Sequence, residues 1–124
     1  MKLNTFMMIA AVVALVFGLG FIIAPASSLT LYGTSTNVTG EFLGRYLGSS
    51  LLGIAFLTWL VRNAPASPTR KAVLAALFAT MVLGFAVALW DKFAGGGNAL
   101  IWLNVAIYLL LAIGFGYFAF MKSD

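Results

Sequence analysis

Apolar and polar positions divide this chain into long uncharged runs separated by short polar segments. No charge lies between Lys2 and Glu41, and Thr5 to Ala24 forms an apolar run; Ala72 to Trp90 and Ala99 to Met121 are two more. Each can span a hydrocarbon layer of ~30 Å, which needs ~20 helical residues at ~1.5 Å rise. A fourth run, Tyr46 to Val61, holds only 16 residues between Arg45 and Arg62. Its helix must therefore begin near Glu41 and carry Arg45 about one turn inside the boundary, where a long cationic side chain snorkels back to the headgroups. The pattern predicts an all-α fold, a four-helix transmembrane bundle. Its helices fall at about 4–24, 41–62, 71–92 and 98–121 of one integral membrane domain covering 1–124.

Composition supports the pattern. Of 124 residues 63% are hydrophobic and 8% are charged, against about 25% charged in an ordinary soluble domain. Mean hydropathy is +1.08. So few charges cannot cover a globule in water, and lipid is the expected solvent for most of the surface.

The Lys/Arg distribution sets the expected orientation. Four spans place both termini on one side, together with the connection between the second and third helices. That side holds Lys2, Arg62, Arg70, Lys71 and Lys122, against Arg45 and Lys92 on the other. Five against two favours cytoplasmic termini. Glu41 and Asp91 balance Arg45 and Lys92 on the far side, so the positive excess collects on the cytoplasmic face, where anionic lipid attracts it. In a chain this apolar the basic balance points to membrane lipid as the partner, not nucleic acid. Trp90 and Trp102 fall at the outer boundary and Trp59 and Tyr117 at the inner one, as interfacial belts require.

The opening "MKLNTFMMIAAVVALVFGLGFIIAPASS" also has the outline of a signal peptide. Its apolar run exceeds the usual length of about 7–15 residues and three further spans follow, so the first helix is expected to be retained. The first connection, "PASSLTLYGTSTNVTG", is the longest and reads as a loop, with Leu29, Leu31 and Tyr32 at the interface. Its Asn37-Val38-Thr39 matches a glycosylation acceptor, a pattern short enough to arise by chance. "NAPASPTRK" reads as a tight basic turn. "DKFAGGGNA" reads as a glycine turn, with Asn98 placed to cap the fourth helix. No internal repeat is evident.

The stretch "GEFLGRYLGSSLLG" holds the densest pattern: Gly40, Gly44 and Gly48 four apart, beside a row of Glu41, Arg45, Ser49 and Gly53. It lacks the Lys-Ser/Thr pair of a phosphate-binding loop. Small residues four apart in lipid instead let helices approach closely. The third span carries Ala72, Ala76, Thr80, Gly84 and Ala88 at the same spacing. The first span offers Ala10, Ala14 and Gly18, and the fourth Ala112 and Gly116. These rows are read as helix-packing positions.

Glu41 and Arg45 have the favourable order for an i,i+4 ion pair, worth about 0.3–0.5 kcal/mol when exposed. With Ser49, and with Asp91 at the end of the third span, they form either a polar clasp between helices or a vestibule in which Arg45 receives an anionic headgroup or solute. Asn104 and Tyr108, again four apart, reach toward mid-membrane. They either hydrogen-bond across helices or line a polar cavity.

Catalytic parts are scarce. Cysteine and histidine are absent, and Glu41, Asp91 and Asp124 are the only carboxylate side chains. Thiol chemistry and the commonest base and metal ligand are thereby removed. A haem would depend on methionine alone for its axial ligands, so no cofactor or metal is expected. The methionines and phenylalanines read as packing or lipid-facing residues.

The runs "IIAPASSLTLYG" and "GRYLGSSLLGIAFLTWLVRN" resemble a broad group of small bacterial membrane proteins, DoxX-like or of domain-of-unknown-function type. The likeness covers about a third of the chain and rests on Arg45 and Trp59. It implies a four-helix bundle of the bacterial inner membrane and brings no catalytic role. This chain lacks the histidines and cysteines of the redox-active relatives. The expected function is therefore a non-enzymatic integral membrane protein, a structural or accessory subunit or lipid-interacting module, as a homo-oligomer or within a larger membrane complex. The alternative is a small oligomeric transporter or channel with Arg45, Asn104 and Tyr108 along its route. A lipid enzyme would have to run on Glu41 and Asp91 alone.

Overall fold

The computed structural model describes residues 2–95 and 97–121. Lys122 and Asp124, which entered the charge and carboxylate counts, lie outside the described residues, as does Gly96 of the glycine turn.

The described chain is all-α. Four long helices appear where the apolar runs lie: α1 (Leu3–Ile23), α3 (Val38–Val61), α4 (Pro68–Phe93) and α5 (Ile101–Gly116), the last running on through a π-helical turn at Tyr117–Met121. All four are long and apolar enough to cross a membrane, at 21, 24, 26 and 21 residues with α5 and its π turn taken together. The all-α, four-helix architecture expected from the pattern is what the structure has.

The chain forms two compact units, the first closing at Asn63 and the second opening at Ala64.

In the first unit α1 and α3 form an antiparallel hairpin. The residue before a proline is forced out of helical backbone, so α1 ends at Ala24 (φ −138°, ψ 67°) ahead of Pro25. Pro25 then starts a short helix, α2 (Pro25–Leu31), where the pattern predicts a loop. Proline fits a first helical position because its missing N–H would have no partner there, and Gly33 at φ +75° ends the element. Ser28 Oγ donates to the Gly20 carbonyl at 2.9 Å, folding α2 back onto α1. Asn37 caps α3 by accepting from the Gly40 N–H at 2.8 Å. The asparagine of the glycosylation pattern thus has a structural task.

The buried side of α1 runs Met7, Ala11, Ala14, Gly18, Phe21, and that of α3 includes Gly44, Gly48, Ala55 and Thr58. Both follow the alternating three-and-four spacing of left-handed helix pairs. Thr58, fully buried, donates to the Ile54 and Ala55 carbonyls at 2.9 and 3.1 Å, so its hydroxyl is satisfied within its own helix.

In the second unit Ser67 caps α4 by accepting from the Arg70 N–H at 3.0 Å, with Pro68 following as the first helical residue. Asn98 opens the turn into α5. Its side chain accepts from Leu100 N–H at 3.0 Å and its carbonyl from Ile101 N–H at 3.2 Å. The buried seams are Leu74, Leu77, Met81, Gly84, Ala88 on α4 and Ile101, Val105, Ala112, Phe115 on α5, with Gly84 half-buried.

These seams correct part of the small-residue reading. A strict four-residue step turns ~400°, so such a row drifts ~40° per step round the helix. Ala76 and Thr80 lie on the exposed side of α4, and the Thr80 hydroxyl donates to the Ala76 carbonyl at 2.9 Å. Among the described residues a Cβ at Gly53 would meet nothing within 4 Å, so Gly53 is not a helix-packing position there. A Cβ at Gly40 would collide with Thr36 Oγ1, which makes Gly40 part of the α3 cap instead of a helix-helix contact.

Candidate functional site

Glu41, Arg45 and Ser49 share one stripe of α3, as the spacing required. Glu41 is half-buried in the first turn; Arg45 and Ser49 are exposed. Among the described residues, neither Glu41 nor Arg45 makes a side-chain hydrogen bond or an ion pair. Asp91 belongs to the second unit, exposed in the last turn of α4. Asn104 and Tyr108 are half-buried on α5. The Tyr108 ring lies against Gly84, in the space a Cβ there would take. Its aromatic body is thus a packing element of the hairpin.

Polar contacts tie the end of the first unit where α1 starts and α3 finishes. Asn4 Nδ2 donates to Asn63 Oδ1 at 3.4 Å, joining the start of α1 to the segment after α3. The Arg62 guanidinium stands 3.9 Å over the Trp59 ring and donates to the Trp59 carbonyl, a cation–π pair three residues apart.

The second unit holds a site that no spacing in the sequence announces. A cavity of about 450 Å³ opens where α4 begins and the π turn ends, lined by Ser67, Arg70, Lys71, Leu74, Phe118 and Met121 among others. Arg70 is half-buried, and its Nη1 donates to the Ala64 carbonyl at 3.0 Å, which holds the guanidinium at the start of the helix. Lys71 is exposed beside it. Leu74 and Phe118 are buried and give the cavity an apolar floor. The π turn contributes to that floor: its extra residue per turn brings both Phe118 and Ala119 to the buried side. The cavity thus has a cationic rim and a greasy base.

Two more grooves are apolar. One, of about 260 Å³, lies between α1 and α3 along Ala11, Val12, Leu15, Ala55, Phe56 and Trp59. The other lies along Leu89, Trp90 and Phe93 of α4. Neither Arg45, Asn104 nor Tyr108 lines any of the three.

These features define a multi-pass α-helical membrane protein. No family model, curated protein or solved structure matches the chain.

Proposed function

We propose that this chain is a non-enzymatic multi-pass protein of a bacterial inner membrane. Both termini and the Arg70–Lys71 segment face the cytoplasm, and the protein serves as a structural or accessory element that engages anionic phospholipid at the start of α4. The observation that carries this reading is the cavity of about 450 Å³ with Arg70 and Lys71 above Leu74 and Phe118. Its lining matches both halves of a phospholipid, cations for the phosphate and an apolar floor for the upper acyl chain. The Lys/Arg excess on the side of the bilayer that this segment shares with both termini, which sets the orientation, supports it further.

Attraction of a basic residue to an anionic leaflet is worth about 1 kcal/mol, or about fivefold in partition. The test is thermal unfolding in nanodiscs of zwitterionic lipid with and without an anionic phospholipid. The native protein melts higher with the anionic lipid, Lys71→Glu removes most of that gain, and Lys92→Glu at the opposite end keeps it. Equal melting in both lipids, or equal effects of the two substitutions, would refute the reading.

A further inference from the structure

The helix α3 has more to cover than its hairpin covers. Its most apolar 18-residue window has a mean hydropathy of 1.2, against 2.8, 2.5 and 2.0 for the other three long helices. Three of its polar residues, Glu41, Arg45 and Ser49, share one stripe. Beyond the seam that faces α1 runs a second series, Arg45, Ser49, Leu52, Phe56, Trp59, spaced four, three, four, three. This is again the spacing that keeps one face of a helix turned to a partner helix. Leu52 is half-buried against Gly18, while Arg45, Ser49, Phe56 and Trp59 are exposed. The lower half of the series borders the apolar groove of about 260 Å³ formed with Val12 and Leu15 of α1.

We propose that a second copy of this chain occupies this face, its α3 lying parallel to the first about a two-fold axis along the membrane normal. Charge complementarity selects this occupant. Glu41 and Arg45 are opposite in sign and one helical turn apart on the same stripe, about 6 Å in depth. Parallel copies related by a two-fold axis present the same residues at the same depth, so the Arg45 side chain of each descends or rises one turn to Glu41 of the other. The interface is isologous: one patch meets itself, and the pair forms twice. Arg45 is then neutralised away from acyl chains, where an ionised group is expensive. Below it, Phe56 and Trp59 close over the groove against the α1 side chains. An acidic or basic partner would satisfy one of the two charges; a second copy satisfies both.

The absence of cysteine makes the chain its own background for the test. Ser49→Cys, oxidised in native membranes, gives a disulfide-linked dimer, and Thr80→Cys on the exposed side of α4 stays monomeric. Glu41→Arg and Arg45→Glu, each added to Ser49→Cys and expressed alone, lower the linked dimer about tenfold or more, because like charges then face each other. Co-expressed under different tags, the two variants link to each other at the native level, a result that pairing within one chain cannot produce. Circular dichroism of each purified variant checks that helicity is kept. A monomeric Ser49→Cys whose thiol still reacts with maleimide would overturn the proposal. So would an adduct with a different protein, equal linking at Thr80→Cys, or failure of the mixed pair to link while both variants remain helical.

Discussion

The two units bring their helices close by different means. In the first, backbone meets backbone. A Cβ at Gly48 would lie 2.7 Å from the Gly18 carbonyl oxygen and 2.8 Å from Ile22, and one at Gly18 would lie 3.0 Å from the Gly48 carbonyl oxygen. In the second, a ring fills each glycine notch: Tyr108 at Gly84, and Phe78 at Gly116, where a Cβ would come within 2.9 Å. Phe78 in turn meets Phe120 edge to face at 5.5 Å. A ring can be trimmed or turned, whereas a carbonyl oxygen in a helix cannot move without the helix. Glycines that look alike in the sequence therefore differ in what they tolerate.

The largest expected effect follows from that rigidity. Gly48→Leu should separate α3 from α1 over several turns and cost about 3 kcal/mol or more, at the upper end for overpacking a close contact. Equilibrium unfolding in mixed micelles measures it, and Ile22→Ala should recover little, since the Gly18 carbonyl remains in the way. Gly84→Ala in the second unit should cost about 1–2 kcal/mol. Adding Tyr108→Ala should offset much of that, with a coupling of about 1 kcal/mol in a double-mutant cycle. Strict additivity of the two substitutions would break the contrast between the units. Next come the caps. Asn37→Ala in the first unit and Ser67→Ala in the second should each cost about 1 kcal/mol. Comparable losses would show that the units differ in their cores and not in how their helices begin. The smallest effect is expected at Gly53, where Gly53→Ala meets open space and should shift stability by no more than about 1 kcal/mol, in the stabilising direction.

The spans were legible because an apolar run of that length has no other stable use in a chain with so few charges. Their starts were less so. Reading boundaries from Glu41 and Lys71 put α3 and α4 three residues late, since the caps at Asn37 and Ser67 lie in the polar connections. The helix α2 was hidden by its polar residues, of which Ser28 and Thr30 bond back to backbone carbonyls, Thr30 to Ala26 at 2.8 Å. Pro25 and Gly33 were the signals present. Small-residue rows showed that close packing would occur but not which members would meet a neighbour, because burial follows the three-and-four seam. Gly48 and Gly84 lie on it; Ala76, Thr80 and Gly53 do not.

The stripe of Glu41, Arg45 and Ser49 followed directly from helical spacing. The cavity at Arg70 and Lys71 did not, for it depends on the Arg70 bond to the Ala64 carbonyl and on a π turn that no local pattern marks.

Single-cysteine accessibility tests the account most directly, with Ser35→Cys in the connection after α2 and Ala66→Cys beside the basic cavity. In intact spheroplasts a membrane-impermeant maleimide should label Ser35→Cys and leave Ala66→Cys untouched, and inverted vesicles should reverse the result. Labelling of both positions from the same side would contradict a chain that crosses the bilayer between them and keeps its basic end in the cytosol.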